Sequence, residues 1–376
     1  MRTRSLTATL SLALAAALCA GLMLSASAGA AVSWVVNGRG FGHGVGMSAY
    51  GAYGFALEGK GYRFILGHYY RGTSLGTVEK SPVVRVLLDI SPGDVGFSGA
   101  SGACGVALDP RRRYEAHRSV NSVRLRSSRG KRLANCGRRL RAAGRGTIEI
   151  AGVGRFRGAF ETVPTESDAG SLNVVNALAL EQYVKGVMPN EVPASWPVEE
   201  LKAHSVAVRS IALTGGVDGN GFDLYDDTRS QVYEGLESEE ARTNEAVKET
   251  RGQVVTYNGE VAQTFYSACS GGHTESVVNV FGTAIPYLVG VPDPYDYHCP
   301  LHTWTLRFSG PEISARLGGY LKGRLKKVVV TKRGVTPRII EAKLIGTGGV
   351  SIVTGEQLEV ALGGYDTWMT FRKLSR

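Results

Sequence analysis

The sequence predicts an α+β protein, on three observations. Short runs rich in Val, Ile, Leu and Thr mark strands at 82–90, 147–152 and 170–175. The middle third then takes on helical periodicity, at 181–187 and again in SWPVEELKAHSVAVRSIALTGG, residues 195–216. Strand patterns return at 252–257, 260–266, 326–331 and 339–344. Strands and helices therefore stay segregated along the chain, which argues against an alternating, doubly wound parallel sheet.

Taken in order, the chain opens on MRTRSLTATLSLALAAALCAGLMLSASAGA, with Arg2 and Arg4 ahead of an apolar run and small residues at Ala26, Ala28 and Ala30. This is the pattern of a secretory signal peptide, residues 1–30, cleaved near Ala28 or Ala30. Cys19 follows Ala-Ala-Leu, not the small residue that a lipid-acceptor cysteine needs. No later apolar run approaches the roughly 18 residues of a membrane span. The expected product is secreted, extracellular or wall-associated.

Next comes GRGFGHGVGMSAYGA, with glycines alternating around His43. Neither a dinucleotide fingerprint nor a P-loop has this spacing, so phosphate binding is excluded. What remains is backbone chemistry: glycine allows positive φ and close approach beside an imidazole, in a turn or at a ligand.

The net charge of +10 is concentrated in RRRYEAHRSVNSVRLRSSRGKRLANCGRRLRAAGRG, residues 111–146, where Glu115 is the one acid. Two readings stand: a solvated β-rich surface, or a patch for anionic wall polymers or lipid head groups. Nucleic acid is excluded as a partner, because no aromatic stacking or recognition-helix pattern accompanies the charge. Beyond the leader lie Cys104, Cys136, Cys269 and Cys299. An even count in an oxidising compartment implies two disulfides, most simply between sequence neighbours. Zinc is the rival for the second pair, given His273, His298 and His302 nearby, although no spacing is that of a common structural site.

The helical third concentrates the chemistry. In ALEQYVKGVMPNEVPASWP, Glu191 is expected in a short loop closed by Pro189, Pro193 and Pro197. Burial beside Met188, Val192 and Trp196 would raise its pKa and fit it to act as a general acid; a surface glutamate in a proline turn is the alternative. The following helix is expected to be capped at or near Ser195, with Pro197 in its first turn, Gly215 as its stop and Leu201, Val208, Ile211 and Ala212 as its buried stripe.

YVKGVMPNEVPASWPVEELKAHSVAVRSIAL resembles the signature of the stage II sporulation protein D and amidase-enhancer (SpoIID/LytB) family. So do DDTRSQVYEG, the SGGHTE loop in AVKETRGQVVTYNGEVAQTFYSACSGGHTESVVNVFG, and YLVGVPDPYD. GHGVGMSAYGA is similar to a segment that closes the domain in most relatives, whereas here it opens the chain, a permuted order. His204 stands where relatives carry Gln, and Ala49 likewise replaces a Gln.

The resemblance implies a two-lobed domain with a glycan cleft. Residues 31–80 would be the permuted segment packed on the core, 81–170 a β-rich basic subdomain and 171–376 the core. It implies a lytic transglycosylase that cleaves the MurNAc–GlcNAc bond to 1,6-anhydro ends, with Glu191 as the catalytic carboxyl and no cofactor or metal. Arg209, Gln231, Tyr233, Gly271, Gly272 and Thr274 would lie along the cleft, and His43 and Met47 would pack against its wall. The other reading is a non-catalytic enhancer of an N-acetylmuramoyl-L-alanine amidase. Either way the partners are peptidoglycan strands, with anionic wall polymers and a wall amidase as further candidates.

Overall fold

A computed structural model describes residues 33–166, 170–217 and 219–374. The expected signal peptide, with Cys19, lies outside them. The fold is mixed α/β and is built mainly from antiparallel sheets.

The largest core lies between a seven-stranded sheet, centred on Val83–Ser91, Leu172–Ala179 and Ala159–Pro164, and a six-stranded sheet that includes Tyr114–Ser119 and Ser122–Ser127. The larger sheet takes strands from both sides of residue 170. Strand alternation explains half of the basic stretch: in Ser122–Ser127, Val123 and Leu125 point inward, so Arg124 and Arg126 point away from the core. Many of its other charges are paired. Glu161, buried, receives Arg85 at 3.1 Å, Arg139 at 2.8 Å and Arg141, and Arg113 meets Glu149 at 3.4 Å. Exposed Arg129, Lys131, Arg132 and Arg145 have no ion-pair partner among the described residues.

Five helices serve the first two cores: α1 (Ala49–Leu57) and α2 (Tyr62–Tyr69) pack mainly into the second, α3 (Leu180–Glu191) into the first, α4 (Val198–Thr214) into both and α5 (Ala241–Glu249) into the first. The sequence places the end of α3 at 187, but it runs to Glu191 with Pro189 inside it. The proline removes the backbone donor that would meet the Lys185 carbonyl, and the next residue, Asn190, turns its side chain back onto the helix to donate to the Gly186 carbonyl at 2.8 Å. Glu191 therefore ends a helix and is not held in a proline loop. Helix α4 begins slightly later than expected: its N-cap is Pro197 and not Ser195, and Gly215 is the C-cap. It is more than amphipathic. Leu201, Val208 and Ala212 are buried as expected, Ile211 is only half-buried, and Glu200, His204, Ser205, Arg209 and Ser210 are buried too, because α1, α2, α3 and α5 pack around this helix. The expected strand over 260–266 is split into Glu260–Val261 and Tyr266–Ser267.

A third core joins the first described strand to the last. Ser33–Arg39 lies between Thr303–Ser309 and Met369–Leu374, antiparallel to both. Behind it pack Leu325–Arg333, Ile339–Gly346, Gly349–Thr354 and two helices. From this strand the glycine loop crosses to the 265–275 segment through Phe41 with Cys269, Val45 with Glu275 and Met47 with Tyr266.

The loop closes over the buried guanidinium of Arg338. Arg338 donates to Asp366 at 2.7 and 2.9 Å and to the carbonyls of Ser270 at 2.7 Å and His273 at 2.9 Å. A Cβ on Gly44, whose φ is +71°, would come within 2.5 Å of that guanidinium, and one on Gly46 within 2.0 Å of the Phe265 carbonyl oxygen. These contacts explain the run of glycines better than any ligand motif does. The disulfides are Cys104–Cys136 and Cys269–Cys299, so the thiols of the second pair are not zinc ligands.

Replacing Arg338 should be costly, since it strands a buried carboxylate and two carbonyls. Arg338→Leu is expected to lose about 3–5 kcal/mol in urea unfolding. The double variant with Asp366→Leu should lose less than the single, and an equal or larger loss would show that the ion pair is not what holds this junction.

Candidate functional site

Gly186 in α3 sets the site. A Cβ there would fall 2.5 Å from the Tyr233 ring, so glycine admits the ring against the helix, where it stacks on Tyr183 at 5.2 Å. The Gly186 carbonyl also accepts from Glu234 N–H at 3.4 Å and Ser238 Oγ at 3.3 Å. Clamped in this way, the 226–238 segment brings the Val232 N–H to 3.3 Å from Glu191 Oε1.

Glu191 opens onto a cleft of about 440 Å3, walled by His43, Ile211, Arg229, Gln231, Phe265 and Tyr266. It is the one carboxylate among the described residues lining this cleft. A directed chain of hydrogen bonds runs beside it. Tyr183 O–H donates to Gln231 Oε1 at 3.3 Å and Gln231 Nε2–H donates to Tyr266 Oη at 2.8 Å, and Tyr266 lines the cleft together with Glu191. Burial, followed by the Glu191 charge, pushes the Tyr266 phenol well above its ordinary pKa, so it remains a donor.

His43 reaches the same cleft. Its Nδ1 accepts from Val45 N–H at 2.9 Å, which puts the ring proton on Nε2. Phe265 and Phe281 pack edge-on at 6.0 and 5.4 Å. Burial, reinforced by the Arg338 charge, lowers its pKa to about 4, against the pull of a hydrogen bond to the Tyr266 backbone. The neutral imidazole thus lines the cleft beside Phe265 and Tyr266, across from Glu191.

Of the residues expected along the cleft, the structure brings His43, Glu191 and Gln231 together and puts the others elsewhere. Arg209 is fully buried inside the helical core, donating to Glu181 at 2.8 and 2.9 Å and to the Gln253 carbonyl at 3.0 Å. It anchors the first turn of α3. Tyr233 is buried with its hydroxyl on Asn176 at 2.7 Å, and Met47 is buried beneath the glycine loop. Gly271 and Gly272 sit against Arg39, and Thr274 bonds Val291; none of the three lines the cleft. Glu191 is half-buried, and Val192 and Trp196 beside it belong to the core. Tyr266 and Tyr183 were not anticipated. The signal for Tyr266 was its place in a broken strand, where a side chain can turn toward a cleft.

The site therefore offers one carboxylate, held by the Val232 N–H, to a cleft lined by polar and aromatic side chains. Residues 168–257 match the family described as Stage II sporulation protein (SpoIID). The chain is 42% identical over 150 residues to an uncharacterized protein of Brachyspira hyodysenteriae, covering 39% of this chain and 40% of that one. It is 40% identical over 133 residues to the amidase enhancer of Bacillus subtilis, covering 35% and 18%. To the stage II sporulation protein D of Bacillus subtilis it is 31% identical over 166 residues, covering 40% and 48%. The chain thus spans less than half the length of each of these relatives. The match and these likenesses support the SpoIID/LytB family for the segment matched.

The lowered pKa of His43 has a thermodynamic consequence. As pH falls, the unfolded imidazole takes a proton near 6.5 and the folded one only near 4. The stability tied to a neutral His43 is therefore complete above that window, declines through it and levels off below it, by roughly 1–3 kcal/mol. In urea unfolding, the stability gap between wild type and His43→Gln should be widest near neutral pH and narrow toward pH 4. A gap independent of pH would show that the imidazole is not held neutral.

Proposed function

We propose that the protein acts on the bacterial cell wall as a lytic transglycosylase, cleaving the MurNAc–GlcNAc bond of peptidoglycan. The observation that carries this reading is the single carboxylate in the cleft. Two-carboxylate hydrolysis needs a second acid on the far side of the sugar, whereas a lytic reaction uses one group twice. Glu191 protonates the leaving glycosidic oxygen as the C1–O bond breaks. The C6 hydroxyl of MurNAc then attacks C1 and returns its proton to Glu191, so that a 1,6-anhydro ring forms and no water is consumed. The hydrogen bond from Val232 N–H fixes the carboxyl for both transfers. Secretion by the expected leader accords with the two disulfides. Exposed Arg129, Lys131, Arg132 and Arg145 would hold the protein to anionic wall polymers.

The likeness to an amidase enhancer favours a second reading, in which the cleft binds glycan without cutting it and a wall amidase is the partner. A digest of purified peptidoglycan read by mass spectrometry separates the two. Glu191→Gln should lower release of anhydro-muropeptides by about 100-fold or more while leaving glycan binding in place. Undiminished product from the variant would end the assignment, and reducing ends from wild type would make the protein a hydrolase. Wild type that yields no product but stimulates an amidase would establish the enhancer.

We also infer that residues 31–80 fill the place that relatives fill from the other end of the domain, with residues 81–170 as a basic subdomain and 171–376 as the core around the cleft. In support, Ser33–Arg39 pairs directly with Met369–Leu374. Deleting residues 31–76 should give an aggregated product, and reattaching them behind Arg376 through a short flexible linker should restore both melting temperature and anhydro-product yield. A deletion variant that stays folded and fully active would reduce the segment to an appendage.

A further inference from the structure

The cleft that holds Glu191 has an aromatic side that the proton transfers do not use. Phe281 ends the short helix Val277–Phe281 and lines the cleft, yet it remains 49% exposed. Val277 is the one buried residue of that helix and holds it to the protein. The helix stops at Gly282, whose left-handed backbone, φ +81°, turns the chain away. A Cβ on Gly282 would meet nothing within 4 Å, so nothing crowds the turn beside the ring.

The ring is nonetheless fixed. Phe265 stacks on it, with centroids 4.8 Å apart and planes 26° from parallel, and the His43 ring meets it edge-on at 5.4 Å. Phe265 is itself braced by His43 at 6.0 Å and packs against the second core. Among the described residues no other ring packs on Phe281. A half-exposed phenyl group, backed by protein and held at the wall of a cleft, serves as a contact surface and not as core.

The rest of the lining says what that surface meets. Thr228 and Gln263 line the same cleft, and their side chains have no hydrogen-bond partner among the described residues. One space therefore offers an apolar plane together with a free hydroxyl and a free amide. A β-1,4-linked pyranose with equatorial substituents has the matching form, with axial C–H groups on its faces and polar groups around its rim. A phosphodiester chain has no such plane.

We propose that Phe281, backed by Phe265, is the platform on which one sugar ring of the glycan strand stacks. The proposal rests on the wall-polymer reading and adds to it the surface that recognises the strand and the class of sugar it accepts. Phe281 touches no reacting atom and acts as a binding and positioning residue. A strand free to tilt off the phenyl face would present its glycosidic oxygen to Glu191 at a variable angle.

The test is binding of a β-1,4-linked N-acetylglucosamine tetramer to the Glu191→Gln protein, read by calorimetry and by proton NMR of the sugar. Stacking predicts an upfield shift for the C–H protons of one ring, because they lie over the phenyl face. Phe281→Leu in the same background should lose that shift and weaken binding about tenfold, whereas Phe281→Tyr should keep both. Leucine preserves an apolar side chain, so a merely space-filling role would leave the affinity nearly unchanged, and melting temperatures check that each variant is folded. Equal affinity of Phe281→Leu and its parent, binding without an upfield shift, or no binding of the tetramer to the parent overturns the proposal. Stacking as expected in a protein whose wild type releases no anhydro-muropeptides refutes only the transglycosylase. Anhydro-product release from wild type, with tetramer binding indifferent to Phe281→Leu, refutes only this inference.

Discussion

Everything around the cleft depends on a guanidinium removed from water. Arg338 is buried in the third core and pairs with Asp366, so neither charge can be lost alone without leaving the other stranded. Its remaining donors go to the Ser270 and His273 carbonyls, which fix the loop running past Cys269, while its face carries the glycine loop at Gly44. Three stretches far apart in sequence thus meet on one planar group. Gly40 and Gly44 follow from the Arg338 and Asp366 pair, because no side chain fits between it and the loop, whereas Gly42 and Gly46 are required by Ser267 and the Phe265 carbonyl.

A second buried arginine does the corresponding work inside the helical core. Arg209 grips Glu181 at the start of α3, and Glu181 also accepts the Gly252 N–H at 3.1 Å, so the helix is fixed at one end to the turn after α5. The other end carries Glu191. A carboxylate on a helix anchored one end by a buried ion pair and the other by the Tyr233 ring has little freedom to move, which is what successive proton transfers at one carboxyl require.

The sequence disclosed the cleft better than it disclosed the cleft's contents. Strands at 82–90 and 339–344 and helix α4 were legible because periodicity and stop signals agree there. Helix α3 was read too short, since Pro189 looks like a terminator, yet the helix runs through it to Glu191. Arg209 was read as a substrate contact because its place in a motif does not say whether it faces solvent, and only the packing of four helices around α4 shows that it cannot. The Cys269 and Cys299 pairing was open for a similar reason: nearby histidines suggest metal, but His302 is already engaged with Asp296 at 2.8 Å and His273 with the Thr274 carbonyl at 2.7 Å.

The position of Ser33–Arg39 also bears on how the chain acquires its fold. As the middle strand of its sheet, it finds its neighbours only at 303–309 and 369–374, and the Thr370 hydroxyl reaches the Asn37 carbonyl across 333 positions. Closing so long a loop costs little at equilibrium, about 0.6 kcal/mol for each doubling of length. In time it is expensive, because non-local pairing slows folding. Until both neighbours have been synthesised, an apolar strand with Trp34, Val35 and Val36 presents two unpaired edges, the condition in which strands add to the wrong chain. Assembly of this sheet therefore comes late, and whatever shields the emerging strand in the meantime influences how much protein is recovered, independently of how stable the finished molecule is.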